Sequence, residues 1–199
     1  MDLLYWMVKD RCTMTLSLEW TDEALMAIPH VGKVELIDGE LCKMAPTGTE
    51  HSDIASILVA ALINVVHPAR LGRVYESNAG YRMASGNVLS PDVSFISAAR
   101  LKGRRADYKR FFKGGPDLAV EILSPDDSYR KTVGKLGEYF QNGTVLAWII
   151  DADEKTVEVF TKPDRADGNL TLTDTLTAGA LVPDFQLALA TLFESPDFE

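Results

Sequence analysis

Glu121 stands inside the run Leu118-Ala119-Val120-Glu121-Ile122-Leu123, and no other six residues constrain this chain as tightly. The run is bounded by Pro116-Asp117 and Ser124-Pro125 and reads as a strand buried on both faces. An unpaired carboxylate there would cost several kcal/mol. The fold must therefore supply a basic side chain, a proton or a metal ion, and a structural partner satisfies that demand as well as a functional one. The nearest acid in the strand is Asp117. Strand rise places it ~13 Å away, too far to share one ion whose ligand bonds run about 2.0–2.6 Å. A second ligand must come from a neighbouring strand. Asp92, in Ser90-Pro91-Asp92-Val93-Ser94-Phe95-Ile96, is the candidate, with Pro91 suited to a strand entrance. Two such carboxylates can hold Mg²⁺ or Mn²⁺ and position a water near a phosphodiester. The competing reading is that Asp92 caps a turn, because Pro-Asp is a common turn pair. Two like charges so close would also repel, each raising the other's pKa. Neutralising Asp92 should then relieve the metal-free fold.

The surrounding pattern predicts mixed α/β structure. Thr21-Asp22-Glu23 opens a short helix with Thr21 as N-cap. Val34–Ile37 and Glu40–Met44 form a hairpin across Asp38-Gly39, a pair suited to a two-residue turn. Thr47 and Glu50 fit a capping box, followed by a helix with Ile54, Ile57, Leu58, Ala61, Leu62 and Val65 at helical spacing, ending near His67-Pro68. Strands are expected at 72–76, 79–84, 91–97 and 117–124. A helix is expected from an N-cap at Ser124 to Asn142-Gly143. Strands at 145–150, 156–160 and 170–177 and a short helix near 187–194 complete one mixed sheet with helices packed on it. On the second long helix Val133, Leu136 and Phe140 mark the apolar face, which turns Lys131 and Lys135 largely toward solvent.

Of the 199 residues, 46% are hydrophobic and 25% charged, enough for a sizeable core. That predicts a single domain over 15–199 with residues 1–14 as an N-terminal extension. The formal net charge of −9 argues against a surface that coats nucleic acid generally. Nucleic-acid contact would need a local basic patch. Arg100, Lys102, Arg104, Arg105, Lys109 and Arg110 form one, interleaved with Tyr108, Phe111 and Phe112; a solvated surface loop explains the same run equally well. Cys12 and Cys42 have no disulfide-framework or zinc spacing, and no run reaches the ~20 apolar residues of a membrane span. A cytoplasmic protein with no membrane association is expected.

The ordered set Glu35-Leu36-Ile37-Asp38-Gly39-Glu40, Met44-Ala45-Pro46, His51, Pro91-Asp92-Val93, Gly115 to Pro125, Lys135, Tyr139 and Trp148-Ile149-Ile150-Asp151 resembles the Uma2 (DUF820) family of endonucleases, a branch of the PD-(D/E)XK superfamily. The resemblance implies a restriction-endonuclease-like fold, a mixed central sheet flanked by helices with an N-terminal β-hairpin. It implies Asp92 and Glu121 as the acids, with the Ile122 carbonyl also touching a Mg²⁺ or Mn²⁺ ion. The superfamily's lysine usually lies two residues after the second acid, where this chain has Leu123. The resemblance transfers that role to Lys135 on the next helix, against the helical-wheel reading. It also raises Glu40 and His51, which otherwise read as an exposed hairpin residue and a helix-start residue.

The function this implies is metal-dependent hydrolysis of DNA by a homodimer, since cutting a duplex suits two sites related by symmetry and the ribbons have edges to cover. The alternative is a catalytically silent binding or interaction protein that keeps the fold, favoured by the negative charge and the missing in-strand lysine. Hydrolysis of a different phosphoester is a third class.

Overall fold

In the computed structural model the described residues are 20–28, 32–104, 109–124 and 128–194. The expected extension at 1–14, Arg105, Tyr108 and Pro125 lie outside them. The chain order is α1 (Asp22–Met26), β1 (Val34–Ile37), β2 (Glu40–Lys43), α2 (Thr49–Val66), β3 (Gly72–Glu76), β4 (Tyr81–Arg82), β5 (Val88–Leu89), β6 (Val93–Ser97), α3 (Ala98–Leu101), β7 (Phe112–Lys113), β8 (Leu118–Leu123), α4 (Tyr129–Gln141), β9 (Leu146–Asp151), β10 (Thr156–Phe160), β11 (Gly168–Leu170), β12 (Thr175–Ala178), β13 (Val182–Ala188) and α5 (Leu189–Leu192).

The main sheet has the order β11-β10-β9-β8-β6-β3. It is mixed: β8 and β9 run parallel, joined through α4, while β6–β8, β3–β6 and β9–β10 are antiparallel. A parallel pair needs a long crossover, and α4 supplies it. The strands carry side chains to two faces. Val93, Phe95, Leu118, Val120, Ile122, Trp148 and Ile150 face a core closed by Ile54, Leu58, Leu62 and Val66 of α2 and by the β12–β13 ribbon. Ile96, Ala119, Ala147 and Ile149 face the other core, with Leu136 and Tyr139 of α4, with Tyr81 and Leu89 of a second sheet, and with Met83 just after its strand β4. That second sheet has the order β2-β1-β5-β4-β7. Among the described residues the expected single sheet is therefore three: the main sheet, this five-stranded one, and the β12–β13 pair.

Local chemistry explains most boundaries. Asp38 and Gly39 both have positive φ, 51° and 83°, as a two-residue hairpin turn requires, and Asn87 Oδ1 accepts from the Asp38 N–H at 2.8 Å. Thr21 accepts from Ala24 N at 3.1 Å and caps α1. The other two caps fall elsewhere than expected. The N-cap of α2 is Gly48 rather than Thr47, whose hydroxyl meets Ser52. The N-cap of α4 is Ser128 rather than Ser124. Toward the C-terminus the expected 170–177 strand splits into β11 and β12, and β13 fills residues expected to be loop or helix. Helix α2 is long and apolar enough to cross a membrane by composition, but its Ile54-Leu58-Leu62-Val66 stripe is buried in the core.

Candidate active site

The site forms where the end of the main sheet meets the hairpin of the second sheet and the side of α4. Residue 121 belongs to β8, which is flanked on both sides by β6 and β9. Its alternation with Val120 and Ile122 turns Glu121 toward the α4 face. There the Tyr139 hydroxyl donates to Glu121 Oε1 at 2.8 Å, and Lys135 Nζ lies 3.6 Å from Oε2. Glu121 is only 6% exposed. Burial pushes its carboxyl up to about 7; the Lys135 charge opposes this, and the Asp92 and Glu35 charges add to it.

Asp92 sits one residue before β6. Val93 pairs with Val120, so Asp92 is the cross-strand neighbour of Glu121. Its N–H donates to the Val120 carbonyl at 2.9 Å. Its side chain accepts from Ile122 N at 2.9 Å and from Lys33 Nζ at 3.1 Å, and His51 Nε2 lies 3.2 Å from Oδ2. Burial alone would raise its pKa. The His51 hydrogen bond, the Lys33 charge and the Ile122 N–H together outweigh burial and hold it down at about 2. The expectation that both acids are raised is therefore corrected: they are driven apart. In return, the Asp92 hydrogen bond raises the His51 pKa.

Lys135 reaches this cluster because the buried side of α4 is Thr132, Leu136 and Tyr139, with Lys135 on the same side. The apolar-face reading that turned Lys135 to solvent is overturned; Lys131 is exposed as expected. Lys135 Nζ is 2.9 Å from Glu35 Oε2 and 3.2 Å from Oε1. Although burial works against it, the Glu121 and Glu35 charges hold its ammonium pKa above the usual lysine value. Two site residues, Lys33 and Glu35, were not singled out from the sequence. Glu35 shows the same signal as Glu121, a carboxylate between apolar residues of a short strand. Lys33 lies one residue before β1 and carries no such signal.

Glu40 is not brought in: it is exposed on β2, and its carboxylate has no partner among the described residues. Asp117 lies one residue before β8, at the end far from the site, where it accepts from Ser97 N at 2.8 Å and lies 3.6 Å from Arg100. The basic run is largely occupied with the protein itself. Arg100 and Arg104 lie over the Phe112 ring at 5.2 and 4.7 Å, and Arg110 pairs with Glu23 at 2.8 Å. Lys102 and Lys109 have no partner among the described residues. Arg104, Lys109 and Arg110 border a cavity of about 320 Å³ with Tyr75, Phe111 and Phe112, apart from the acids.

No three His, Cys, Asp or Glu side chains among the described residues stand ready to hold a metal ion. The donor kind nevertheless fits a hard divalent cation, which prefers carboxylate and carbonyl oxygens. In extended backbone a residue's N–H and C=O project to the same side. The Ile122 carbonyl is thus directed to the side from which Asp92 takes the Ile122 N–H. The raised pKa of Glu121 comes first from burial, a penalty that a bound cation would offset.

A mixed central sheet with helices packed on it is a restriction-endonuclease-like architecture, and here it carries Asp92 and Glu121 on neighbouring strands with Lys135 beside them. The chain belongs to the Uma2 family, described as "putative restriction endonuclease", whose model matches residues 21–190. Among solved structures it is similar to a DUF820 protein of Anabaena variabilis ATCC 29413 described as a "putative nuclease", with 26% identity and a TM-score of 0.75 over 87% of this chain and 97% of that one. No curated protein matches.

Proposed function

We propose that this protein is an endonuclease that hydrolyses DNA phosphodiester bonds with Mg²⁺ or Mn²⁺ held by Asp92, Glu121 and the Ile122 carbonyl. The observation that carries the reading is the convergence of Asp92 and Glu121 from adjacent strands with a helix-borne lysine beside them. When bound, the ion would supply Lewis-acid polarisation of the phosphate and a water of lowered pKa. The chain's residues do the rest. His51 and the Ile122 N–H fix the Asp92 carboxylate. Tyr139 fixes Glu121. Lys135 offers a cation to the charge that grows on phosphorus oxygens as water adds, before one P–O bond breaks to leave a phosphate end and a hydroxyl end. A homodimer would present two such sites to a duplex, and light scattering on the pure protein tests that part.

A second reading has its own support. Lys33 lies on Asp92 and Lys135 on Glu35 and Glu121, so the acids already have protein cations beside them. That suits a module that binds DNA without cutting it. The deciding experiment is a nuclease assay on purified protein with and without Mn²⁺, beside Asp92→Ala. Cleavage that needs both Mn²⁺ and Asp92 supports the enzyme. Binding without cleavage under any of these conditions sinks it.

A further inference from the structure

We infer that Glu35 is a positioning residue for Lys135: a buried hairpin carboxylate that sets where the ammonium of the helix-borne lysine stands. The inference rests on the proposed role of Lys135 toward the phosphate.

A lysine two residues after the second acid would be fixed by its own strand. A lysine on α4 has four rotatable side-chain bonds between its Cα and its ammonium, and another element must fix its end. Glu35 does this from the second sheet. It is 1% exposed, and its carboxylate takes Lys135 at 2.9 and 3.2 Å, closer than the 3.6 Å to Glu121. Glu35 is itself fixed, since Oε1 also accepts from Ser90 N at 2.9 Å. Ser90 lies two residues before Asp92, so one carboxylate ties both the lysine and the approach to the first acid. On strand β1 the flanking apolar residues, Val34 and Leu36, point to the opposite face, and Ile37 packs with Glu35's side against the α4 core. A buried carboxylate retained here would cost stability without a cation, and Lys135 is the cation it meets.

The test has one readout independent of cleavage. Acetic anhydride labelling, read by mass spectrometry, reports the free amine of each lysine. In the wild type, Lys135 should label clearly more slowly than the exposed Lys102 and Lys155, because its side chain is only 17% exposed and its ammonium is held by Glu35 at 2.9 Å. In Glu35→Gln, of nearly the same shape, Lys135 labelling should rise about threefold or more. With active protein, Glu35→Gln should lower kcat about 10–100-fold at little-changed KM, the order of loss expected from misplacing a reacting group. Lys135→Gln should lose at least as much, and the double variant should lose no more than Lys135→Gln alone, as for residues that act as one unit. Glu35→Asp, which keeps the charge on a shorter arm, should recover part of kcat. Wild-type Lys135 that labels as fast as Lys102 overturns the inference without any variant. So does folded Glu35→Gln with a lower Tm but unchanged Lys135 labelling, which would make Glu35 merely structural. If the wild type cuts nothing, the nuclease reading fails, yet the labelling still decides whether Glu35 places Lys135.

Discussion

Lys135 and Glu35 meet at 2.9 Å although α4 and the hairpin belong to different layers of the fold. The contact turns the lysine toward Glu121, 3.6 Å away. Lys135→Ala is therefore expected to lower turnover about 10²–10³-fold, the usual effect of removing one charge-stabilising group. DNA affinity should change little, since the loss belongs to the transition state. Single-turnover cleavage and a binding titration on the same preparation check this. Equal losses in both would return Lys135 to general DNA attraction.

Mn²⁺ should stabilise the protein. An ion that binds only the native state adds about 2.7 kcal/mol at a hundred times its Kd, roughly 5–10 °C in Tm for a chain of this size. Asp92→Asn should abolish that shift. Its metal-free Tm should fall rather than rise, because the carboxylate it replaces bonds Lys33, His51 and the Ile122 N–H. Leaving such donors short costs about 1–3 kcal/mol. A thermal scan with equal Mn²⁺ shifts in both proteins would place the ion elsewhere.

The two acids give opposite pH slopes to metal-free stability. Asp92 is lowered from 3.8 to about 2, so its contribution is present above the ordinary value and lost as pH falls through about 2. Glu121 is raised from 4.5 to about 7, so the folded state holds a proton the unfolded chain has released, and stability declines across that window as pH rises. Urea unfolding should show wild type losing stability from about pH 4.5 to 7, with Glu121→Gln flatter there and unchanged at the acid end. Parallel curves would remove Glu121 as the cause.

Tyr139→Phe deletes the hydroxyl that donates to Glu121 Oε1 at 2.8 Å, while the ring stays in its core. The expected cost is about 1–3 kcal/mol, because a buried acceptor loses its donor. The urea midpoint should fall with the m-value unchanged. A variant as stable as wild type would show that Lys135 alone satisfies that carboxylate.

The parts of this fold legible in the sequence are those where local chemistry decides. Asp38-Gly39 needs positive φ, and the acid in 118–123 needs a partner, whatever the tertiary setting. The helix boundaries were less legible because Ser124 and Ser128 are equally good caps. The orientation of Lys135 was missed because an apolar wheel counts hydrophobic residues, whereas this face of α4 is buried through Thr132, Leu136 and Tyr139 against a partly polar site. β13 was missed because Pro183 and the positive φ of Asp184 interrupt its alternation near a register shift in its partner. Glu35 could have been found by the rule that found Glu121, applied to a strand of only four residues.

The bond between Glu35 and Lys135 spans 100 positions of sequence. As the chain leaves the ribosome, the hairpin carboxylate waits for a lysine made long after it, and Asp92 and Glu121 come between. A nascent chain, or a fragment ending before α4, holds the acids and Glu35 without the lysine. The constellation comes into being only when the last of its parts has been synthesised and the long stretch of chain between them has closed.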